Sequence, residues 1–244
     1  MVEVNSSKIN IVIGSVAAVA VFFTILYIGM FNTGKYSPDI TTGITENKVV
    51  VMPDSSLIHL SSNSIVKYHC NKFTGNRNVV LKGEAFFEVN EGRKFKVDFQ
   101  GGNLFVNGTK FNVIAYSEQY IKVDCVEGGV DFKYGRYSIS LKQGQGIKVY
   151  KGIITGPYSV EETFALEQLN NIHSWDRISV EELFFLLGSK YNYEIILDRH
   201  AGKRNFTGQI DMSDLQNSLS IISHAMDLDY FVDEENQTIT IHAK

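Results

Sequence analysis

The sequence is poor in the patterns that carry catalysis. It has no P-loop, GxSxG, HExxH or CxxC run, which leaves turnover chemistry without a recognisable nucleophile, metal set or phosphate cradle. Its histidines, His59, His69, His173, His200, His224 and His242, are scattered without ligand spacing. Glu84 and Glu88 fall on one face of a strand. They read as a solvated stripe, or as partners for Lys82 and Lys94, rather than as a carboxylate dyad. Basic residues (23) do not outnumber acidic ones (27), and the formal charge of -4 argues against a broad nucleic-acid surface. Only 3 prolines stand against 20 glycines, 16 Phe and 12 Tyr, a balance that favours an ordered, strand-rich chain over a disordered one.

What is present begins with one long apolar run. Ile11 to Phe31, "IVIGSVAAVAVFFTILYIGMF", holds no charge, and its 21 residues cover the roughly 30 Å hydrocarbon core of a bilayer. The run exceeds the about 7–15 apolar residues of a cleaved signal peptide, and no small-x-small site follows, so an uncleaved single-pass anchor is expected. Residues 1–10 then form a short cytoplasmic stub, and the bulk of the chain lies outside.

Residues 32–45 are polar and turn-rich and read as a stalk. From 46 to 152 the pattern is one of short strands separated by turns, with alternation as in "KFKVDF", where Phe95, Val97 and Phe99 face one way and Lys96 and Asp98 the other. This predicts an all-β sandwich or jelly-roll-like domain. Residues 153–172 read as a linker carrying a short helix, and 173–244 as a compact α/β domain. In that domain Ser179 and Glu182 form a capping-box pattern ahead of Leu183, Phe184, Leu186 and Leu187, and "DLQNSLSIISHAM" is a second helix. "LDYFVDE" and "TITIHA" make a closing strand pair.

Three features are candidates for function. Asn107-Gly108-Thr109 interrupts "FVNGTKFNVIAY", and the inward strand phase before it does not match the phase after it, as a turn or bulge requires. Cys70 and Cys125 both fall on inward strand phases. Pairing them would close a loop of about 55 residues, worth roughly 4 kcal/mol, and two buried free thiols are the other reading. Tyr230, Phe231, Val232, Thr238, Ile239, Thr240 and Ile241 are expected at an exposed strand edge that could accept a partner strand.

The ordered series Gly83-Glu84-Ala85-Phe86-Phe87-Glu88-Val89, Phe95 with Val97, Gly108-Thr109-Lys110-Phe111-Asn112-Val113, Val126-Glu127-Gly128 and Leu141 with Gly144-Gln145 resembles the periplasmic domain of FecR-type transmembrane regulators of extracytoplasmic-function sigma factors, the anti-sigma factors of that family. "MPDSSLIHLSSNSIVKY" resembles the family's opening strands. The stretch from Trp175 through Phe206-Thr207-Gly208 resembles its C-terminal domain, itself similar to the signalling domain of TonB-dependent receptors.

The resemblance implies an inner-membrane protein with most of its mass in the periplasm, as in Bacteroidetes-like uptake systems. It would relay a signal from an outer-membrane TonB-dependent receptor to an ECF-type sigma factor without turnover and without a cofactor or metal. It also implies that Gly108–Thr109 is a candidate for single-turnover self-cleavage through attack by the Thr109 hydroxyl. The sequence departs from the family in carrying only "MVEVNSSKIN" ahead of the apolar run, where a helical sigma-binding domain is usual, and in Ser55 where a glycine is usual. The competing expectation is a membrane-anchored β-sandwich that binds glycans on its aromatic side chains.

Overall fold

A computed structural model of the chain describes residues 21–24, 37–68, 73, 75–161 and 171–244. The chain divides into two compact units, Met1–Tyr36 and Ser37–Lys244. In the first, only residues 21–24 are described, and they are helical. The remainder of the predicted anchor lies outside the described residues, and among those described no helix is long and apolar enough to cross a membrane.

The second unit opens with a sheet of 13 strands. They are β1 (Ile40–Thr41), β2 (Lys48–Val51), β3 (Leu57–Leu60), β4 (Ile65–Tyr68), β5 (Arg77–Val89), β6 (Phe95–Phe99), β7 (Gly102–Val106), β8 (Thr109–Ser117), β9 (Tyr120–Glu127), β10 (Gly129–Tyr134), β11 (Tyr137–Lys142), β12 (Gln145–Tyr150) and β13 (Ile153–Ser159). The order around the main path is β11-β10-β7-β6-β5-β8-β9-β12-β13.

β5 is the hinge of this architecture. "RNVVLKGEAFFEV" forms one strand of 13 residues. Its first half pairs with β4 and, in parallel, with β6; its second half pairs with β3 and β8. The bend falls at Gly83, whose φ of +109° no side-chain-bearing residue adopts comfortably. A Cβ there would lie 2.3 Å from Ser64 Oγ. One strand thereby serves both halves of a sheet that folds over on itself and nearly closes.

Between the halves sits the first core. The alternation read from the sequence places Phe95, Val97, Leu104, Phe111, Val123 and Phe132 inside with no measurable exposure. The Phe87 and Phe111 rings stack at 4.8 Å across the β5–β8 register. Each such side chain removes enough apolar surface to stabilise the fold by about 1.5–3 kcal/mol.

Two expected boundaries move. Ile40–Thr41, read as stalk, pairs with β4, and Ile153–Ser159, read as the start of a linker, pairs with β12. In both cases a polar or turn-rich segment is recruited by an open strand edge, which local composition cannot report.

The C-terminal region is a small α/β module: β14 (Ile172–Ser179), α1 (Val180–Tyr191), β15 (Glu194–Leu197), α2 (Arg199–Gly202), β16 (Asn205–Asp211), α3 (Leu215–Met226), β17 (Leu228–Asp233) and β18 (Thr238–Ala243). β14 pairs with β16, while β15, β18 and β17 form a second sheet in that order. α1 is capped as its sequence predicts, with Ser179 Oγ accepting the Glu182 amide at 3.1 Å. The return half of the box is missing: the Glu182 carboxylate accepts from Lys148 Nζ on β12, at 2.6 and 2.8 Å. α3 is capped by Asp214, whose carboxylate accepts the Asn217 amide at 2.9 Å. The apolar stripes of α1 and α3 meet Ile239 and Ile241 of β18, and this second core extends to Ile114, Tyr116 and Tyr120 on β8 and β9.

Candidate functional site

Asn107-Gly108 is the passage from one half of the large sheet to the other. β7 pairs with β6 and β10, whereas β8 pairs with β5 and β9, so the two residues link different halves rather than closing a hairpin. This accounts for the mismatch of phase, with Leu104 and Val106 buried before the link and Thr109 and Phe111 after it. Neither residue adopts the positive φ that an Asn-Gly hairpin would use.

The link is clamped from both sides. The Asn107 carbonyl accepts from the Gly92 amide at 3.1 Å and from the Arg77 guanidinium at 3.4 Å. Arg77 itself is buried, donating to Asp54 and to the Asn90 carbonyl at 2.9 and 2.8 Å. The Thr109 hydroxyl donates to the Gly129 carbonyl at 3.0 Å. Gly128 is needed opposite, because a Cβ there would come within 2.6 Å of the Gly108 carbonyl oxygen. Thr109 is buried and its hydroxyl proton goes to a peptide oxygen, which is no base.

A second constellation lies at the seam between the large sheet and the C-terminal module. Glu84, expected to be solvated, is 1 % exposed, because β14 and α1 cover this stretch of β5. Its carboxylate accepts from the Asn112 amide at 3.3 Å and lies 3.3 Å from His173 Nε2 on β14. The latter is a close buried contact rather than an aligned hydrogen bond, since neither atom reaches hydrogen-bond geometry. Lys190 of α1, with no measurable exposure, donates to Asn171 Oδ1 at 3.3 Å. Asn171 also accepts from Ser62 at 3.1 Å and donates to Asn47 at 3.0 Å, and Asn63 donates to the Lys190 carbonyl.

The electrostatics of the seam follow from burial. Burial drives the Glu84 carboxyl upward, but attraction to His173 and Lys190 and the Asn112 bond outweigh it, leaving the group below its ordinary range. Burial lowers the Lys190 ammonium, against the pull of Glu84 and Asp211. Burial and the Glu84 charge push the Tyr116 hydroxyl well up, so it stays neutral and donates to the Ser62 carbonyl at 3.2 Å. Toward the outside the seam continues through Lys148–Glu182 and Lys151–Glu181. Clefts of about 460 and 400 Å³ open on either side of it. The one sequence signal for this node is Lys190, a lysine seven residues beyond Leu183 on the apolar stripe of α1.

The residues of the expected strand edge fall on two strands with different surroundings. β17, with Tyr230, Phe231 and Val232, stands at the edge of its sheet, and Phe231 is 65 % exposed. β18 is central, paired on both sides by β15 and β17, so Thr238, Ile239, Thr240 and Ile241 offer no edge. Ile239 and Ile241 are core. The error has a simple cause: β15 comes from the start of the module and adds in parallel to its last strand.

Cys125 is buried in the first core, and burial pushes its thiol up to about 11. Cys70 lies outside the described residues, as does His69. Among the described residues no group of three or more His, Cys, Asp or Glu is placed to hold a metal ion. Phe73, Phe87, Phe95, Phe111 and Phe132, which a glycan platform would need outside, are at most 1 % exposed.

Residues 38–131 match the family described as FecR protein, the portion from just before β1 into β10. The chain matches no curated protein. Two crystal structures of a protein from Parabacteroides distasonis ATCC 8503, described as a candidate anti-sigma factor, share its fold. Each superposes with a TM-score of 0.71 at 24% identity, covering 85% and 86% of this chain and 100% of that one. The FecR match therefore covers the large sheet only as far as β10, and the likeness in fold, over 85% of the chain, reaches into the C-terminal module.

Proposed function

We propose that this chain is a FecR-type regulator of an extracytoplasmic-function sigma factor, anchored in the inner membrane through Ile11–Phe31, with its folded unit in the periplasm. It works by protein–protein contacts and without turnover. The periplasmic signalling domain of a TonB-dependent receptor engages the C-terminal module along β17, where Phe231 and an open edge offer both an apolar anchor and unpaired backbone groups. The load then reaches the large sheet across the charged seam. The observation that carries this reading is the FecR match over residues 38–131 on a fold shared with a candidate anti-sigma factor along that protein's whole length.

In this reading Gly108–Thr109 is first a structural passage between the halves of the sheet. A cut there would leave the fragments held by β5–β8 and β7–β10 pairing. The reading is tested by pulling the C-terminally tagged chain from cell envelopes and identifying partners and peptide termini by mass spectrometry. Recovery of a TonB-dependent receptor and a sigma factor is the expected result; recovery of the chain with neither overturns it.

A further inference from the structure

The outward face of the β4-β5-β6-β7-β10-β11 half has an uneven charge. Its outward row Asn78, Lys96, Phe105, Asp131 and Ser140 runs in register across β5 to β11, every member exposed or half-buried. On this face stand Lys67, Lys82, Lys94, Lys96, Lys133 and Lys142, against Asp39, Asp98 and Asp131, in a chain whose formal charge is -4. Three of the ammonium groups converge on one ring: Nζ of Lys94, Lys133 and Lys96 lie 4.8, 5.2 and 5.9 Å from the Phe105 centroid. Lys96 has a partner in Asp98 at 2.6 Å, while among the described residues no carboxylate reaches Lys94 or Lys133.

Cations gathered on one aromatic face are held there by its quadrupole while repelling one another. A sheet of anions laid over them removes that repulsion. The face spans six strands or about 24 Å and uses lysines, point charges without the fork geometry that selects one planar ligand; the clefts that reach it open at its margins, beside Asp131 and Ser140 and beside Lys82. Those properties suit a flat, diffuse anionic surface.

We infer that this face docks on the anionic headgroups of the bilayer that anchors the chain, an inference that rests on the anchor proposed above. The chain joins this same half: the Ser37 amide donates to the Tyr68 carbonyl at the end of β4, at 2.6 Å. Only residues 32–36 separate it from Phe31, at most about 20 Å of extended chain. The docked state fixes the orientation of the large sheet, and with it the direction in which the C-terminal module is presented.

The test uses the full chain in liposomes of phosphatidylcholine alone or with phosphatidylglycerol, with an amine-reactive label read out by peptide mass spectrometry. Labelling of Lys94, Lys96 and Lys133 should fall about fivefold or more with the anionic lipid, and high salt should restore it. The double variant Lys94→Glu/Lys133→Glu should lose the protection at Lys96. Equal labelling in both liposomes overturns the proposal. So does protection that appears only on adding DNA or an acidic protein, which would assign the face to that partner. Failure of the anchor reading shows separately, as a chain that does not float with uncharged liposomes.

Discussion

His173 Nε2 lies 3.3 Å from Glu84 Oε2, with both side chains buried, and this contact ties the first strand of the C-terminal module to the one strand shared by both halves of the large sheet. A partner that moves the module must disturb a cluster of buried charges whose alternatives in water are good. Such clusters are costly to break and contribute little net stability when intact, which is the balance expected of an element that holds a position until it is displaced.

Stability should depend on the Glu84 charge on the acid side. The folded-state pKa is held below the unfolded value near 4.5, so its contribution is fully present above that value and is lost as pH falls through the folded one. Urea unfolding at successive pH values should show a stability drop below about pH 4.5, with a flatter acid limb in Glu84→Gln. Glu84→Ala at neutral pH should cost about 3 kcal/mol or more, since it leaves a buried cation without its counter-charge. A loss under 1 kcal/mol would mean that the seam is already hydrated.

Ser55 occupies a left-handed position with φ of +64° on the exposed turn before β3. The strain of a Cβ there is about 1 kcal/mol, and glycine removes it. Ser55→Gly should therefore raise the urea midpoint, with the slope unchanged. A lowered midpoint would show that the serine side chain makes up for its backbone.

Phe231 separates folding from binding. It is 65 % exposed at the edge of its sheet, so Phe231→Asp should shift unfolding by no more than about 0.5 kcal/mol. Receptor capture in the envelope pull-down should fall at least tenfold, as expected when an interface anchor is lost. Unchanged capture would move the receptor contact away from β17.

At the passage between the halves, the Thr109 hydroxyl is engaged with the Gly129 carbonyl. The intact chain should dominate the mass spectrum of purified protein, and Thr109→Ala should cost about 1 kcal/mol through loss of that bond. A new terminus at Thr109 in the wild-type chain, absent in Thr109→Ala, would show that the hydroxyl leaves Gly129 and attacks the preceding peptide.

Much of the fold was legible one segment at a time. Side-chain alternation in "KFKVDF" and the serine cap and leucine stripe of α1 are set by residues within a few positions of one another, and those local periods survive in the structure. The candidate site was less legible. Glu84 reads as a solvated strand residue until α1 and β14 are laid over it, and His173 and Lys190 gain meaning only as its neighbours. β18 reads as an edge until β15 takes its free side, and Asn107-Gly108 reads as a turn or bulge until β7 and β8 choose different partners. The amino-acid sequence by itself determined strand phase, helix faces and caps, because these follow from backbone periods of two and 3.6 residues. The tertiary structure alone decided which edges are open, which charges are buried and where the chain crosses between sheet halves, because pairing and burial depend on surfaces supplied by distant residues.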